Sequence, residues 1–360
     1  MKTKLVYVLT CAPDNHYIEM ALMSVWSARH WNPDAHIVLI TDNLTDKLFV
    51  GKRAEISDYI SEKIVITFED DSLSMAYRSR WLKTSVRQLI VGDFLFIDCD
   101  TIICKPLADI DKFNCEVGAV PDAMLPVDEF CPSLLEMDVK RCADIGADLL
   151  QEKNYYCSGV VYAKDTPLTH TLYELWHKYW GQSFAKQMLA DQPGLCKANI
   201  ECKHIIQRIP DTYDVIAYTH NRLYKEAHIL HFASHRIASY LGSKRVFAYL
   251  KETGLANSSW IQKSVLHPEC TFFPFNNEIY SSSKKDRKIW ASRIAEYAKG
   301  YGQFIDSTFF NVKVPSRFHG IIHYCFIRKR YYLGAWLWLT WCHFHLHLKH
   351  YENYENTCQK

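Results

Sequence analysis

No charge of either sign dominates this chain. Its 42 Lys and Arg nearly balance 40 Asp and Glu, leaving a formal net charge of +2 over 360 residues. The global field that would draw a protein to nucleic acid is missing, so nucleic acid is not expected as a partner. No Cys-x-x-Cys pair occurs, so a structural zinc site is not expected. The 13 cysteines are odd in number and scattered, which argues against a disulfide framework. No apolar run of signal-peptide type stands at Met1: residues 5–9 form only a short strand-like run, soon followed by Pro13, and the expected location is the cytosol. No internal repeat is visible. Aromatic residues, by contrast, are plentiful, with 22 Tyr, 18 Phe and 10 Trp. Such side chains fill cores, stack on sugars and sit at membrane interfaces. Hydrophobic residues make up 48% and charged residues 23%. That excludes a disordered chain and allows a large core in one large or two small domains.

Buried-strand and helix patterns alternate along the first half. Lys4–Thr10, His36–Thr41, Lys63–Thr67 and Asp93–Ile97 are apolar runs of strand length. Helical spacing over His16–His30 and Met75–Val91 separates them. Glu116–Val120, Tyr155–Ala163 and His228–Phe232 read as further strands. Thr166–Trp180, Ser183–Lys197 and Ile237–Thr253 read as helices, the last stopped by Gly254. This alternation predicts a doubly wound, mainly parallel α/β sheet whose strands are buried on both faces. The polar stretch Tyr280–Arg287 reads as a linker, followed by a helical pattern over Ile289–Lys299.

The strongest chemical signal is Phe94-Leu95-Phe96-Ile97-Asp98-Cys99-Asp100: two carboxylates directly after an all-apolar strand. Ligands of open α/β sheets bind at the carboxyl ends of strands. Two neighbouring acids repel unless a cation or a hydrogen-bond network holds them, and carboxylates suit Mg²⁺ or Mn²⁺, which bridge phosphate oxygens. The plain alternative is a turn after the strand, with Asp98 capping the next segment.

The run LFIDCDTIICKP resembles the Asp-x-Asp segment of glycosyltransferases with the GT-A fold, and further pieces resemble their retaining, family-8-like branch in the same order. The series runs from the loop Ala12-Pro13-Asp14-Asn15-His16-Tyr17 to Ser79-Arg80-Trp81, Ala119-Val120-Pro121-Asp122 and Cys157-Ser158-Gly159-Val160. It continues with Asp191-Gln192 and Ile229-Leu230-His231-Phe232. The likeness spans roughly residues 4–240. It implies a GT-A catalytic domain over 1–280. It implies Mn²⁺ or Mg²⁺ on Asp98, Asp100 and His231, and a UDP-sugar held by Thr10, Ala12, Asp14, Tyr17, Arg80, Asp98, Cys99, Ser158 and Gly159. It implies catalytic roles for Asp191 and Gln192 beneath the anomeric carbon, with Asp122 orienting a saccharide or lipid-linked glycan acceptor. The chain departs from the family at Cys157, where Asn is usual, at Ser234 and Ile237, where Gly and Lys usually touch diphosphate, and at Pro193, where a second Asp is frequent. His231 alone could equally be a core histidine, Tyr17 core packing, Arg80 a solvated helix charge and Asp191 a helix cap.

The C-terminal segment differs in kind. Residues 281–316 read as linker and helix. Residues 317–360 form a basic, aromatic tail in which Arg328-Lys329-Arg330 precede Trp336, Trp338 and Trp341. The apolar stretch is too short to span a bilayer, but Trp and Tyr beside a basic cluster fit an interfacial segment. A helix docked on the catalytic domain is the alternative. The expected function is retaining, metal-dependent sugar transfer in cell-envelope glycan synthesis, peripheral at the inner face of the cytoplasmic membrane. Two other readings stay open: a sugar-phosphate nucleotidylyltransferase, disfavoured because Cys11-Ala12-Pro13-Asp14-Asn15 carries neither Gly nor Lys, and a non-catalytic nucleotide- or glycan-binding protein.

Overall fold

In a computed structural model, strand β1 (Lys4–Leu9) is almost wholly buried, as its apolar, β-branched run requires. It belongs to a seven-stranded sheet, paired with a strand on either side. The structure describes residues 1–130, 132–216, 223, 226–232 and 244–266, with isolated positions and one short stretch, 332–337, between 288 and 340. The chain divides into two compact units, Met1–His231 and Phe232–Lys360.

Seven strands of the first unit form the main sheet. They are β1, β2 (Ile37–Asp42), β3 (Glu62–Ile66), β4 (Phe94–Ile97), β6 (Val117–Pro121), β7 (Tyr156–Ala163) and β8 (Ile206–Arg208). Their spatial order is β3-β2-β1-β4-β7-β6-β8. β3, β2, β1 and β4 run parallel. β7 is antiparallel to both neighbours, and β8 pairs β6 in parallel. The expected α/β sheet is thus present and mostly parallel. Three further strands build a small second sheet: β5 (Thr101–Ile103), β9 (Val215–Ile216) and β10 (Ile229–His231), in the order β5-β10-β9. Among these, only β10 was legible as a strand, because it lies in the apolar run His228–Phe232; β5 and β9, like β8 of the main sheet, are three residues or fewer and carry no readable period.

Helix α1 (Tyr17–Trp31) packs its apolar face on β5, and α2 (Asn43–Asp46) is a single turn capped by Asp42. The long helix expected over Met75–Val91 is interrupted at Ser85, giving α3 (Met75–Thr84) and α4 (Val86–Leu89). Helix α5 (Pro132–Ala143) has no counterpart in the sequence reading. Helix α6 (Pro167–Ala185) continues through Gly181 rather than ending at Trp180. Its buried Leu172, Tyr173, Trp176, Tyr179, Trp180 and Ser183 keep one helical face on the core. The chain then breaks, with Gln187 at φ +62, before α7 (Gln192–Glu201). The single helix expected over Ser183–Lys197 therefore does not exist, and the break places Asp191 at a helix start. Gly194 lets α7 lie against α6: a Cβ there would sit 2.9 Å from the Trp180 backbone nitrogen.

In the second unit, α8 (Lys244–Thr253) ends at Gly254, whose φ of +77 and bond to the Leu250 carbonyl make it the expected C-cap. α9 (Ser259–Leu266) follows. Ser234, Ile237, Lys329, Trp338 and Trp341, the expected linker Tyr280–Arg287 and nearly all of the expected helix Ile289–Lys299 lie outside the described residues. Among the described residues, no helix is long and apolar enough to cross a membrane.

Candidate active site

The two sheets meet at the Asp-x-Asp segment. β4 ends at Ile97 and β5 begins at Thr101, so Asp98, Cys99 and Asp100 form the turn between them. Register does the rest. In the main sheet Ile97 pairs with Val160, and the Asp98 amide donates to the Gly159 carbonyl at 2.8 Å. In the small sheet His231 pairs with Thr101, one residue past Asp100. Strand pairing alone therefore brings β4, β7 and β10 to one point at the carboxyl edge of the sheet.

His231 Nε2 lies 3.5 Å from Asp100 Oδ1. One ligand atom each from Asp98, Asp100 and His231 fall within 4.8 Å of one another. Gly159 makes the space: a Cβ there would lie 2.2 Å from His231 Cε1. The opposite ring nitrogen, Nδ1, is 3.0 Å from Asp214 Oδ1, and Asp214 is fully buried. A carboxylate behind an imidazole fixes its orientation and tautomer. Burial pushes the His231 pKa down, but Asp214 and Asp100 outweigh it and hold it well above the ordinary histidine value.

On the other side of Asp98 stands Lys83, on α3. Its side chain is 3% exposed, with Nζ 3.0 Å from Asp98 Oδ2, 3.2 Å from Ser158 Oγ and 3.4 Å from Asp191 Oδ2. Arg80, one helical turn earlier, places Nε 3.2 Å from Asp191 Oδ1. Asp191 occupies the N-cap position of α7 but makes no side-chain cap bond; its carboxylate turns to the two cations instead. Burial raises the Asp191 pKa, yet Lys83 and Arg80 together bring it below the usual carboxylate range. Asp98 goes the other way: burial, with Asp100 adding to it, raises its pKa despite Lys83. Three carboxylates, Asp98, Asp100 and Asp191, thus face two fixed cations, Arg80 and Lys83, while Asp214 stands behind His231. The excess of negative charge in a largely buried cluster matches a divalent cation. Asp98 and Asp100 with His231 are a donor set that fits Mg²⁺ or Mn²⁺.

The remaining expected residues fall in three places. Gln192 Nε2 donates to Asp122 Oδ2 at 3.1 Å and to the Tyr156 carbonyl at 3.3 Å, which ties the start of α7 to the end of β6. The loop after β1 is braced from behind. Thr10 Oγ1 donates to the Met75 carbonyl, the Ala12 carbonyl accepts from the Asn15 amide, and Arg53 reaches the Asn15 carbonyl while paired with Glu19. Asp14 is exposed and Tyr17 half-buried, and Tyr17 is close enough to add to the field on Arg80. The Cys99 thiol turns away from the site, toward the Val8 carbonyl at 3.2 Å. Two residues of the cluster, Lys83 and Asp214, were not read from the sequence. Lys83 could have been: it follows Arg80 by three in a helix and so shares its face. Asp214 precedes a two-residue strand and gave no signal.

No family model matches the sequence, and no curated protein is significantly similar to it. Several solved structures that resemble it are glycosyltransferases. Mouse xyloside xylosyltransferase 1 in its apo form is 12% identical, with a TM-score of 0.43 over 66% of this chain and 99% of that one. The galactosyltransferase LgtC, in complex with donor and acceptor sugar analogues, is 12% identical, with a TM-score of 0.44 over 78% and 99%. The glycosyltransferase GlyE of Streptococcus pneumoniae is 15% identical, with a TM-score of 0.43 over 73% and 65%. Likeness this distant carries no substrate or residue role across, and the chemistry rests on the site itself.

Proposed function

We propose that the protein is a glycosyltransferase that moves a sugar from a nucleoside diphosphate, UDP in the first instance, to a saccharide or lipid-linked acceptor, with retention at the anomeric carbon. The convergence of Asp98 and Asp100, from the turn between β4 and β5, with His231, from β10, onto one point beside Arg80 and Lys83 carries this reading. Bound there, Mn²⁺ or Mg²⁺ would supply Lewis-acid neutralisation of a departing diphosphate. The chain's own groups do the remaining work. Arg80 and Lys83 hold the Asp191 side chain ionised, so Asp191 serves as a fixed negative charge beside the sugar and not as a proton donor. Gln192, bound to Asp122, links that carboxylate to the acceptor side. Tyr17, half-buried at the mouth of the braced loop, offers a face to the base.

In the second unit, the exposed side chains of Tyr332 and Leu333 stand close in sequence to the exposed Arg328 and Arg330. That pairing supports a tail that lies on an anionic membrane surface, in keeping with synthesis of an envelope glycan. Calorimetry with UDP tests the site directly. Binding should require Mn²⁺ or Mg²⁺ and should disappear in Asp98→Asn, whereas metal-independent binding of equal strength would contradict the proposed arrangement.

A further inference from the structure

His231 has two sides, and they differ in chemistry. Nε2 faces the oxygen donors Asp98 and Asp100. Nδ1 faces Asp214 Oδ1 at 3.0 Å and Cys157 Sγ at 3.8 Å. The ligand atoms of Cys157, Asp214 and His231 lie within 4.8 Å of one another, and all three residues are buried. Cys157 stands where the resembling family carries Asn, so this second face belongs to this chain. A further observation points inward: Asp214 Oδ2 is buried and has no hydrogen-bond partner among the described residues. A carboxylate oxygen without a donor in such a setting is costly, and a cation would satisfy it. A tetrahedral ion bonded at about 2.3 Å to sulfur and about 2.0 Å to nitrogen and oxygen separates N from S by roughly 3.5 Å and N from O by roughly 3.3 Å. The observed edges, 3.8 Å to Cys157 Sγ and 3.0 Å to Asp214 Oδ1, need shifts of only about 0.3 Å, and an ion on that carboxylate would also be the counter-charge that the partnerless Oδ2 lacks.

We propose that Cys157, Asp214 and His231 Nδ1 form a second metal site, selective for thiophilic d¹⁰ cations of the zinc type, and that its occupation competes with the hard-cation site on Asp98 and Asp100. Thiolate with imidazole and carboxylate is a zinc-like donor set, whereas Asp98 and Asp100 suit Mn²⁺ or Mg²⁺. Competition follows from the imidazole. The neutral ring has one lone pair. Spent on a metal at Nδ1, it leaves an N–H at Nε2 directed to Asp100. Spent at Nε2, it leaves an N–H at Nδ1 directed to Asp214. As the metal bonds to sulfur and to Nδ1, the Cys157 thiol proton and the Nδ1 proton of the His231 ring pass to solvent, and nothing is oxidised or reduced. The zinc-type cation would thereby act as an inhibitor. The competition rests on the proposed function, but the existence of the site does not.

Co²⁺, a spectroscopic stand-in for Zn²⁺, provides the test on the full-length chain freed of metal. One equivalent should produce a thiolate-to-cobalt charge-transfer absorption that Zn²⁺ displaces. Cys157→Ser should abolish the band and weaken Zn²⁺ binding by more than ~10-fold. If Cys157→Ser does not fold, Cys157→Asn gives the same readout. A wild-type protein without the band, or a band that survives both substitutions, overturns the site. Mn²⁺ held by the wild-type chain, followed by the spin resonance of the free ion, should be released by one equivalent of Zn²⁺; retention beside a cobalt- or zinc-filled site overturns the competition. If the chain holds no Mn²⁺ at all, the proposed function fails, and the cobalt band still decides this site.

Discussion

A single hydrogen atom at Gly159 decides whether His231 can face the two aspartates. The Cβ that any other residue would carry lies 2.2 Å from His231 Cε1, far inside contact distance. Its backbone is not in the left-handed region, so Gly159→Ala strains no dihedral and acts only through the imidazole. We predict that this substitution displaces the ring and weakens Mn²⁺ binding at least ~10-fold, while overpacking lowers stability by about 1–3 kcal/mol. Titration of Mn²⁺ by the spin resonance of the free ion checks it, and wild-type affinity in the variant would show that His231 is not a ligand. The residue scale is also where the sequence was most and least informative. Asp98 and Asp100 stand out because an apolar strand runs straight into them. Asp191 was expected inside one helix over 183–197; only the break before α7 shows its carboxylate turned to Arg80 and Lys83. Asp214 reaches the site through a contact seventeen residues away in the chain, which no spacing rule reveals.

Elements place these residues only if strands keep their register. β1 is the sheet's central reference, paired with β2 on one side and β4 on the other. Its start is tied down by one carboxylate: Asp111 accepts from the Lys2 amide at 2.8 Å, and from the Thr3 amide and hydroxyl at 2.9 and 2.7 Å. Partial burial raises the Asp111 pKa, but these donors outweigh it and leave it below the ordinary value. A carboxylate depressed in the folded state stabilises above its unfolded value and ceases to do so as pH falls through the folded one. Asp111→Ala should therefore cost about 1 kcal/mol at neutral pH. The difference from wild type should shrink to nothing well below roughly pH 4. Urea midpoints at the two pH values check this, and a difference that persists in acid would assign the effect to packing. β1, β2 and β4 were legible because both faces of each apolar run are buried, so composition alone marks them; β3, at the sheet edge, is not buried on both faces as expected and was legible only from its short Ile-Val-Ile run. The small sheet was not, because a three-residue strand is stabilised by its partners and not by its own pattern.

For the molecule as a whole, the first unit carries the candidate site and the second the basic, aromatic tail. If the basic, aromatic tail meets an anionic bilayer, full-length protein should sediment with anionic vesicles at low salt and release at high salt. Each Lys or Arg near the surface contributes about 1 kcal/mol. Removal of residues 317–360 should abolish sedimentation, and full-length protein that ignores such vesicles would refute the membrane role. The central claim is the chemistry. Its most direct measurement is release of free nucleotide from a panel of nucleotide sugars, with and without Mn²⁺, by wild-type protein and by Asp98→Asn. The predicted result is Mn²⁺-dependent release from one sugar nucleotide, UDP-linked in the first instance, abolished in Asp98→Asn with a nearly unchanged melting temperature. Turnover that persists in Asp98→Asn, or no turnover of any nucleotide sugar by a folded wild-type chain supplied with Mn²⁺, would contradict it.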